Sequence, residues 1–227
     1  MERLHQTLHG VLQTVENAAK LAGRPHAVQL LAVSKTRPPE AVRDLAAAGQ
    51  RAFGENYVQE AIAKIRALPG LGLEWHLIGH LQSNKCREAA EHFHWVQSVD
   101  RARLVDALDR ARPVSLPPLN VLVQVNVDGE AGKSGCRPDE VAALADRIAA
   151  APRLRLRGLM AIPEPHPDPG HRRESFRRLK ALFDAVAARH PGVDTLSMGM
   201  SEDFEAAIAE GSTLVRIGTA LFGARGQ

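Results

Sequence analysis

The stretch Leu30-Leu31-Ala32-Val33-Ser34-Lys35-Thr36, followed by Arg37-Pro38-Pro39, decides how the rest of the chain is read. Its apolar run has the length of a buried strand, and the two prolines make continuation past Lys35 unfavourable. Lys35 therefore stands at the carboxyl end of a first strand. A lysine there is either a snorkelling surface residue or a reactive amine at the mouth of a site.

Working outward from this strand, the same alternation recurs. Leu4 to Leu21 carries apolar residues at helical spacing and stops at Gly23-Arg24-Pro25, which gives an N-terminal helix. After Lys35, helices are expected over 39–48, 58–68, 83–92, 101–111, 138–150 and 202–210, with a long amphipathic one ending at His190-Pro191-Gly192. Strands are expected over 51–56, 73–80, 95–99, 119–127, 154–162, 195–201 and 213–217. Strict alternation of strand and helix implies parallel strands joined by right-handed crossovers, and eight such units match a closed (β/α)8 TIM barrel. A doubly wound open sheet is the rival, and it lacks a dinucleotide fingerprint here. The expected organisation is a single α/β domain over 1–227, with an additional helix at about 2–22 and the barrel at about 28–225.

Composition narrows the function. No run of about eighteen apolar residues exists and charges interrupt the N-terminal segment, so a membrane span and a signal peptide are both disfavoured and a cytoplasmic protein is expected. Cys86 and Cys136 are far apart and form no metal-spacing motif. The net charge of +3 comes from scattered arginines, and the chain has one tyrosine, so no stacking platform for nucleic acid is evident. The i, i+4 pair His76 and His80 is expected on a strand, which places the two rings too far apart for easy co-ligation of a metal. Gly129-Glu130-Ala131-Gly132-Lys133-Ser134 has two residues, not four, between its first glycine and Gly-Lys, so it is no P-loop, and Lys133 is expected in solvent. Trp75 and Trp95 are expected between barrel and helices.

In a barrel the chemistry lies where the strands end. Four ends are unusual: Ser34-Lys35-Thr36, Phe53-Gly54-Glu55-Asn56, Met198-Gly199-Met200-Ser201 and Arg216-Ile217-Gly218-Thr219. Alternation along a strand puts Leu31, Val33 and Lys35 on one face, and Leu214, Arg216 and Gly218 likewise. That parity turns Lys35 and Arg216 toward the barrel axis, where either meets an internal carboxylate or a bound anionic or polar ligand. Ser201 at the N-cap of the following helix, with Gly218 and Thr219, suits a phosphate, and Glu202 and Asp203 would then have to point away. A lysine, a phosphate cradle and an axis-facing arginine together suit pyridoxal phosphate, whose aldehyde takes a Schiff base from a lysine. Facing a guanidinium, which only donates, its ring nitrogen would stay unprotonated.

The stretches LLAVSKTRP (30–38), FGENYVQE (53–60), WHLIGHLQSNK (75–85), VQVNVDGEAGKSG (123–135), RGLMAIPE (157–164), LSMGMSEDFEAAI (196–208) and GSTLVRIGTALFG (211–223) resemble the pyridoxal phosphate homeostasis protein family. Its fold is similar to the N-terminal barrel of alanine racemase. The resemblance implies Lys35 as the aldimine lysine, Asn56 near the ring and its phenolic oxygen, Arg216 facing the ring nitrogen, and Ser201, Gly218 and Thr219 on the phosphate. Met160, Ile162, Met198 and Met200 are expected, by position on strands six and seven, either as ring neighbours or as ordinary barrel core. The implied role is non-catalytic binding, storage or delivery of pyridoxal 5'-phosphate, with apo enzymes that use it as acceptors. The alternative is a PLP-dependent amino-acid racemase. Racemisation asks for an acid/base group on each face of the cofactor; the tyrosine-bearing second domain of alanine racemase is expected to be missing, which leaves Tyr57, at a helix start on the wrong strand end for a simple replacement. For the same reason a monomer is expected.

Overall fold

A computed structural model describes residues 2–164 and 166–223 of the chain. Eight parallel strands close into a barrel in sequence order: β1 (Gln29–Val33), β2 (Ala52–Glu55), β3 (Glu74–Leu77), β4 (Trp95–Val99), β5 (Leu119–Gln124), β6 (Leu154–Met160), β7 (Thr195–Ser197) and β8 (Leu214–Ile217). The ring closes through β8 and β1, where Leu31 lies opposite Arg216. The expected end of the barrel, residue 225, and Pro165 in the loop after β6 lie outside the described residues.

Nine helices are described: α1 (Glu2–Leu21), α2 (Pro39–Ala47), α3 (Val58–Ala67), α4 (Cys86–His92), α5 (Ala102–Ala111), α6 (Val141–Ala149), α7 (Pro169–Arg189), α8 (Phe204–Ala209) and α9 (Thr219–Phe222). Among the described residues, no helix is long and apolar enough to cross a membrane. Two proline starts are legible: Pro39 opens α2 and Pro169 opens α7, where the missing N–H of proline costs nothing. The last helices of the ring are short, and α1 compensates by packing across α8, α9 and α2. Arg24, just past α1, ties it down by donating to the carbonyls of Ile208 (2.6 Å) and Ser212 (3.2 Å).

Strand alternation sorts side chains into two layers. Ala32, Phe53, Val215 and Ile217 pack outward against the helices. Leu31, Leu214 and Ile78, with Val33 and Ala52, fill the barrel interior as a separate cluster. A second interior cluster joins Trp95, Leu122 and Met160. Trp75 lies in the outer layer as expected, but Trp95 does not. It opens β4 two residues before the inward Gln97, so parity sends it inside, where it stacks on His76 (centroids 5.1 Å apart).

Candidate functional site

The carboxyl ends of β1, β2, β7 and β8 surround a cavity of about 330 Å³, a size suited to a small cofactor. Lys35, Asn56, Ser201, Arg216, Gly218 and Thr219 all line it, as do Ile162 and Met200. Met160 and Met198 do not. Met160 pairs in register with Ser197 and packs in the interior with Trp95 and Leu122. Met198 follows the inward-facing Ser197 and so turns outward into the helix-facing core. Gly199, at φ +95°, then reverses the chain and returns Met200 to the cavity.

Lys35 lies in a turn closed by the Arg37 N–H donating to the Ser34 carbonyl at 3.0 Å. Thr36 occupies the third position of that turn with φ +62°, a region a β-branched residue adopts only under strain. A polar cluster behind the barrel wall holds it. Glu60 Oε1 accepts the Thr36 N–H at 2.6 Å. Lys64, 3% exposed, donates to Glu60 Oε1, to Glu55 Oε1 and to the Ser34 carbonyl, each at 2.7 Å. The Ser34 hydroxyl also donates to Glu55 Oε1, at 2.6 Å. Burial pushes the Glu55 carboxyl up from the usual range, against the pull of Lys64 and Ser34. Both backbone neighbours of Lys35 are thus clamped by side chains from β2 and α3.

These three residues were not among the sequence candidates. Their signal was faint: Glu60 and Lys64 are an i, i+4 pair, and Lys64 falls three residues after Ala61 on the face of α3 that also buries Val58 and Ile62. Asn56 is held by packing. A Cβ on Gly79 would sit 2.1 Å from the Asn56 carbonyl oxygen, so only glycine allows the chain after β3 to pass there.

Arg216 is 3% exposed, and its Nη1 donates to Ser197 Oγ (2.7 Å) and its Nη2 to the Ala161 carbonyl (2.8 Å). Burial pulls its guanidinium down to about 10, against the opposing effect of the Asp203 carboxylate at the cavity rim. The structure thus places Arg216 on the cavity wall with protein partners on its inner side and Asp203 near its charge.

The phosphate-side geometry departs from expectation at one point. α8 begins at Phe204, and its N-cap is Asp203, not Ser201. Asp203 Oδ1 accepts the Met200 N–H at 2.7 Å, which tightens the turn and delays the helix. Ser201 instead faces α9, where its hydroxyl accepts the Ala220 N–H at 3.4 Å. The strand-seven loop and the helix after strand eight are thereby drawn together over the cavity. Glu202 and Asp203 border the cavity instead of pointing away, alongside Arg37 and Arg172.

The remaining flagged residues lie elsewhere. His80 is beyond β3 in an exposed loop, its Nδ1 3.0 Å from Ser134 Oγ. No group of three or more His, Cys, Asp or Glu able to hold a metal occurs among the described residues. Lys133 pairs with Glu130 outside the cavity. Tyr57 is 62% exposed and does not line the cavity. Cys86 and Cys136 are free and buried.

Barrel and cavity define a protein of the alanine racemase N-terminal-domain class, and the model of that family (Alanine racemase, N-terminal domain) matches residues 11–226. Within the class, the chain belongs to the pyridoxal phosphate homeostasis protein family. It is 55% identical over 226 residues to the pyridoxal phosphate homeostasis protein of Pseudomonas aeruginosa, covering 99% of this chain and 97% of that one. Among solved structures it is similar to PipY of Synechococcus elongatus PCC7942 with PLP bound, at 37% identity and TM-score 0.83, covering 97% of this chain and all of that one. Alanine racemase from Corynebacterium glutamicum shares the fold at TM-score 0.71 and 17% identity, with 62% of its length covered.

Proposed function

We propose that this chain binds pyridoxal 5'-phosphate in the cavity and takes part in its homeostasis, holding and handing on the cofactor without turning over amino acids. The observation that carries this reading is that Lys35 and the buried Arg216 line one cavity with Asn56 and the hydroxyls of Ser201 and Thr219. The donor set suits the three polar ends of the ligand. A primary amine meets an aldehyde, hydroxyls and the backbone at Gly218 and Thr219 meet a phosphate, and an obligate donor meets a ring nitrogen. When bound, the cofactor supplies an aldehyde that condenses reversibly with an amine. The protein's own residues orient that amine, through the clamped Ser34 and Thr36, and hold a fixed positive charge at the opposite side through Arg216.

Membership of the homeostasis family supports the non-catalytic reading, and PLP in PipY supports the ligand. The lack of tyrosine, histidine and cysteine among the described cavity residues supports it further, because a second acid/base group for racemisation would have to come from a carboxylate at the rim. The barrel with α1 acts in this reading as one cytoplasmic, monomeric binding unit, and apo enzymes that use the cofactor are its acceptors.

The test is borohydride reduction of protein loaded with pyridoxal phosphate, followed by peptide mapping and by turnover assays across amino acids. A pyridoxyl group on Lys35 without turnover is expected. A label elsewhere sinks the site, and stereochemical exchange abolished by Lys35→Ala establishes the racemase instead.

A further inference from the structure

Arg216 does not end at Ser197. The Ser197 hydroxyl, buried on β7, donates to Gln97 Oε1 on β4 at 2.7 Å. Gln97 Nε2 lies 2.9 Å from His76 Nδ1 on β3, and His76 Nε2 lies 2.8 Å from Glu74 Oε1 at the start of the same strand. Ser197, Gln97 and His76 are at most 1% exposed, whereas the Glu74 side chain is 44% exposed. A continuous file of hydrogen bonds thus crosses the barrel interior from the cavity to the amino-terminal ends of the strands.

Chemistry fixes its direction at both ends. A guanidinium has only donors, so Ser197 Oγ must accept from Arg216 and pass its own hydrogen on. Gln97 must then accept with Oε1, which presents its amide nitrogen to His76. Nδ1 of His76 is left as an acceptor, and its one proton sits on Nε2, donated to a carboxylate that can only accept. A doubly protonated ring would set Nδ1–H against the Gln97 amide and put a second cation in the interior. Burial pulls His76 below its usual value, in the same sense. The charged and titratable groups around the ring are Glu74 on its own strand, His94 just before β4, and Arg157 of β6, whose guanidinium lies 4.7 Å over the Trp95 ring.

We propose that Ser197, Gln97, His76 and Glu74 are positioning residues that hold Arg216 oriented toward a ring nitrogen in the cavity, with Glu74 as the terminal acceptor of the file. Asp203 at the rim is the carboxylate that acts on the guanidinium charge. The inference rests on the reading of the cavity as a pyridoxal phosphate site. Removing an interior link frees the guanidinium to rotate and leaves its charge without the aligned dipoles that compensate it.

Two measurements test it. Long-range 15N–1H correlation on the ligand-free full chain should find His76 as the neutral Nε2–H tautomer, with any titration displaced below that of a free imidazole. An Nδ1–H tautomer, or titration near the free value, overturns the chain's direction whether or not the cofactor binds. The second is the ratio of affinities for pyridoxal phosphate and its deaza analogue, in which a C–H replaces the ring nitrogen. The parent chain should prefer pyridoxal phosphate by about tenfold, the worth of one well-placed hydrogen bond. In Gln97→Met that preference should fall to within about twofold. Equal weakening of both ligands with the ratio unchanged marks a merely structural role and overturns the proposal. Should Gln97→Met not fold, Glu74→Gln at the half-exposed end keeps an acceptor for Nε2–H but weakens it by removing its charge. Its ratio should fall to about threefold, and an unchanged ratio overturns the proposal equally. Failure of the parent chain to bind pyridoxal phosphate would instead fell the functional reading and with it the role of the chain toward a ring nitrogen, while its direction stands or falls on the His76 tautomer.

Discussion

Glu60 holds the backbone N–H of Thr36 at 2.6 Å, one residue past Lys35, from the first turn of α3. A threonine at φ +62° persists only where its surroundings over-determine it. Here the strain lies beside the amine that the cavity exposes, and the clamp behind it spends a buried lysine and two carboxylates.

Lys64→Met should therefore act twice. It strips Glu55, which is 0% exposed, of its cation and leaves Glu60 with only the Thr36 N–H. Breaking one partner of such a buried group costs about 3 kcal/mol, visible as a lowered denaturation midpoint. Adding Glu55→Gln should recover part of that stability, since the uncompensated carboxyl is gone. It should not recover ligand affinity, because the Ser34 carbonyl still lacks its donor. Full recovery of both in the double variant would show that the cluster serves stability alone.

Much of this arrangement was legible in the sequence. Strict alternation of strands and helices predicts the barrel, the prolines after Lys35 and the parity of Leu31-Val33 and Leu214-Arg216 turn an amine and a guanidinium inward, and the family resemblance supplies Asn56. Other parts depend on contacts that no local pattern encodes. The helix expected over 202–210 with Ser201 as its N-cap starts at Phe204, because Asp203 caps the turn at Met200 and takes the N-cap position for itself. Met198 leaves the cavity because Ser197 before it faces inward, and Met200 enters it only because β7 is three residues long and Gly199 turns the chain, a boundary that strand propensity does not mark. The interior file was nearer to hand. Glu74 and His76 are spaced i, i+2, as are Trp95 and Gln97, so each pair shares a face, and only the outward expectation for Trp95 hid that this face is the interior.

The loop after β6 should loosen in acid. Asp128, its side chain 5% exposed, accepts from the Glu164 N–H (2.9 Å), the Ser175 hydroxyl (2.6 Å) and Arg178 (2.7 Å). Burial alone would raise its carboxyl, but these three donors outweigh it and hold it below the usual aspartate value. A depressed folded value means that the stabilisation is fully present above the unfolded value near about 3.9 and is lost as pH falls through the folded one. Glu164 lines the cavity and Ser175 sits in α7, so both amides should lose their native NMR shifts below about pH 4 before the barrel unfolds. Asp128→Asn should show the loosened state at neutral pH and flatten the acid dependence. Acid behaviour identical to that of the parent chain would assign the transition to another carboxylate.

Gly79→Ala tests how far the position of Asn56 depends on the chain that crosses it. The added methyl would lie 2.1 Å from the Asn56 carbonyl oxygen, and backbone, unlike a flexible side chain, yields only by moving the strand end. Overpacking of this kind costs about 1–3 kcal/mol, which the barrel can absorb and the cavity cannot. The expected result is a folded protein with circular dichroism unchanged and affinity for pyridoxal phosphate lowered by about tenfold or more. Lys35 is not touched by the substitution, so borohydride trapping at saturating ligand should still label it. Asn56→Ala offers the comparison: if Gly79→Ala acts by displacing that side chain, the two losses should be similar and the double variant no worse than either. Additive losses would mean that Gly79 supports the site through something other than Asn56.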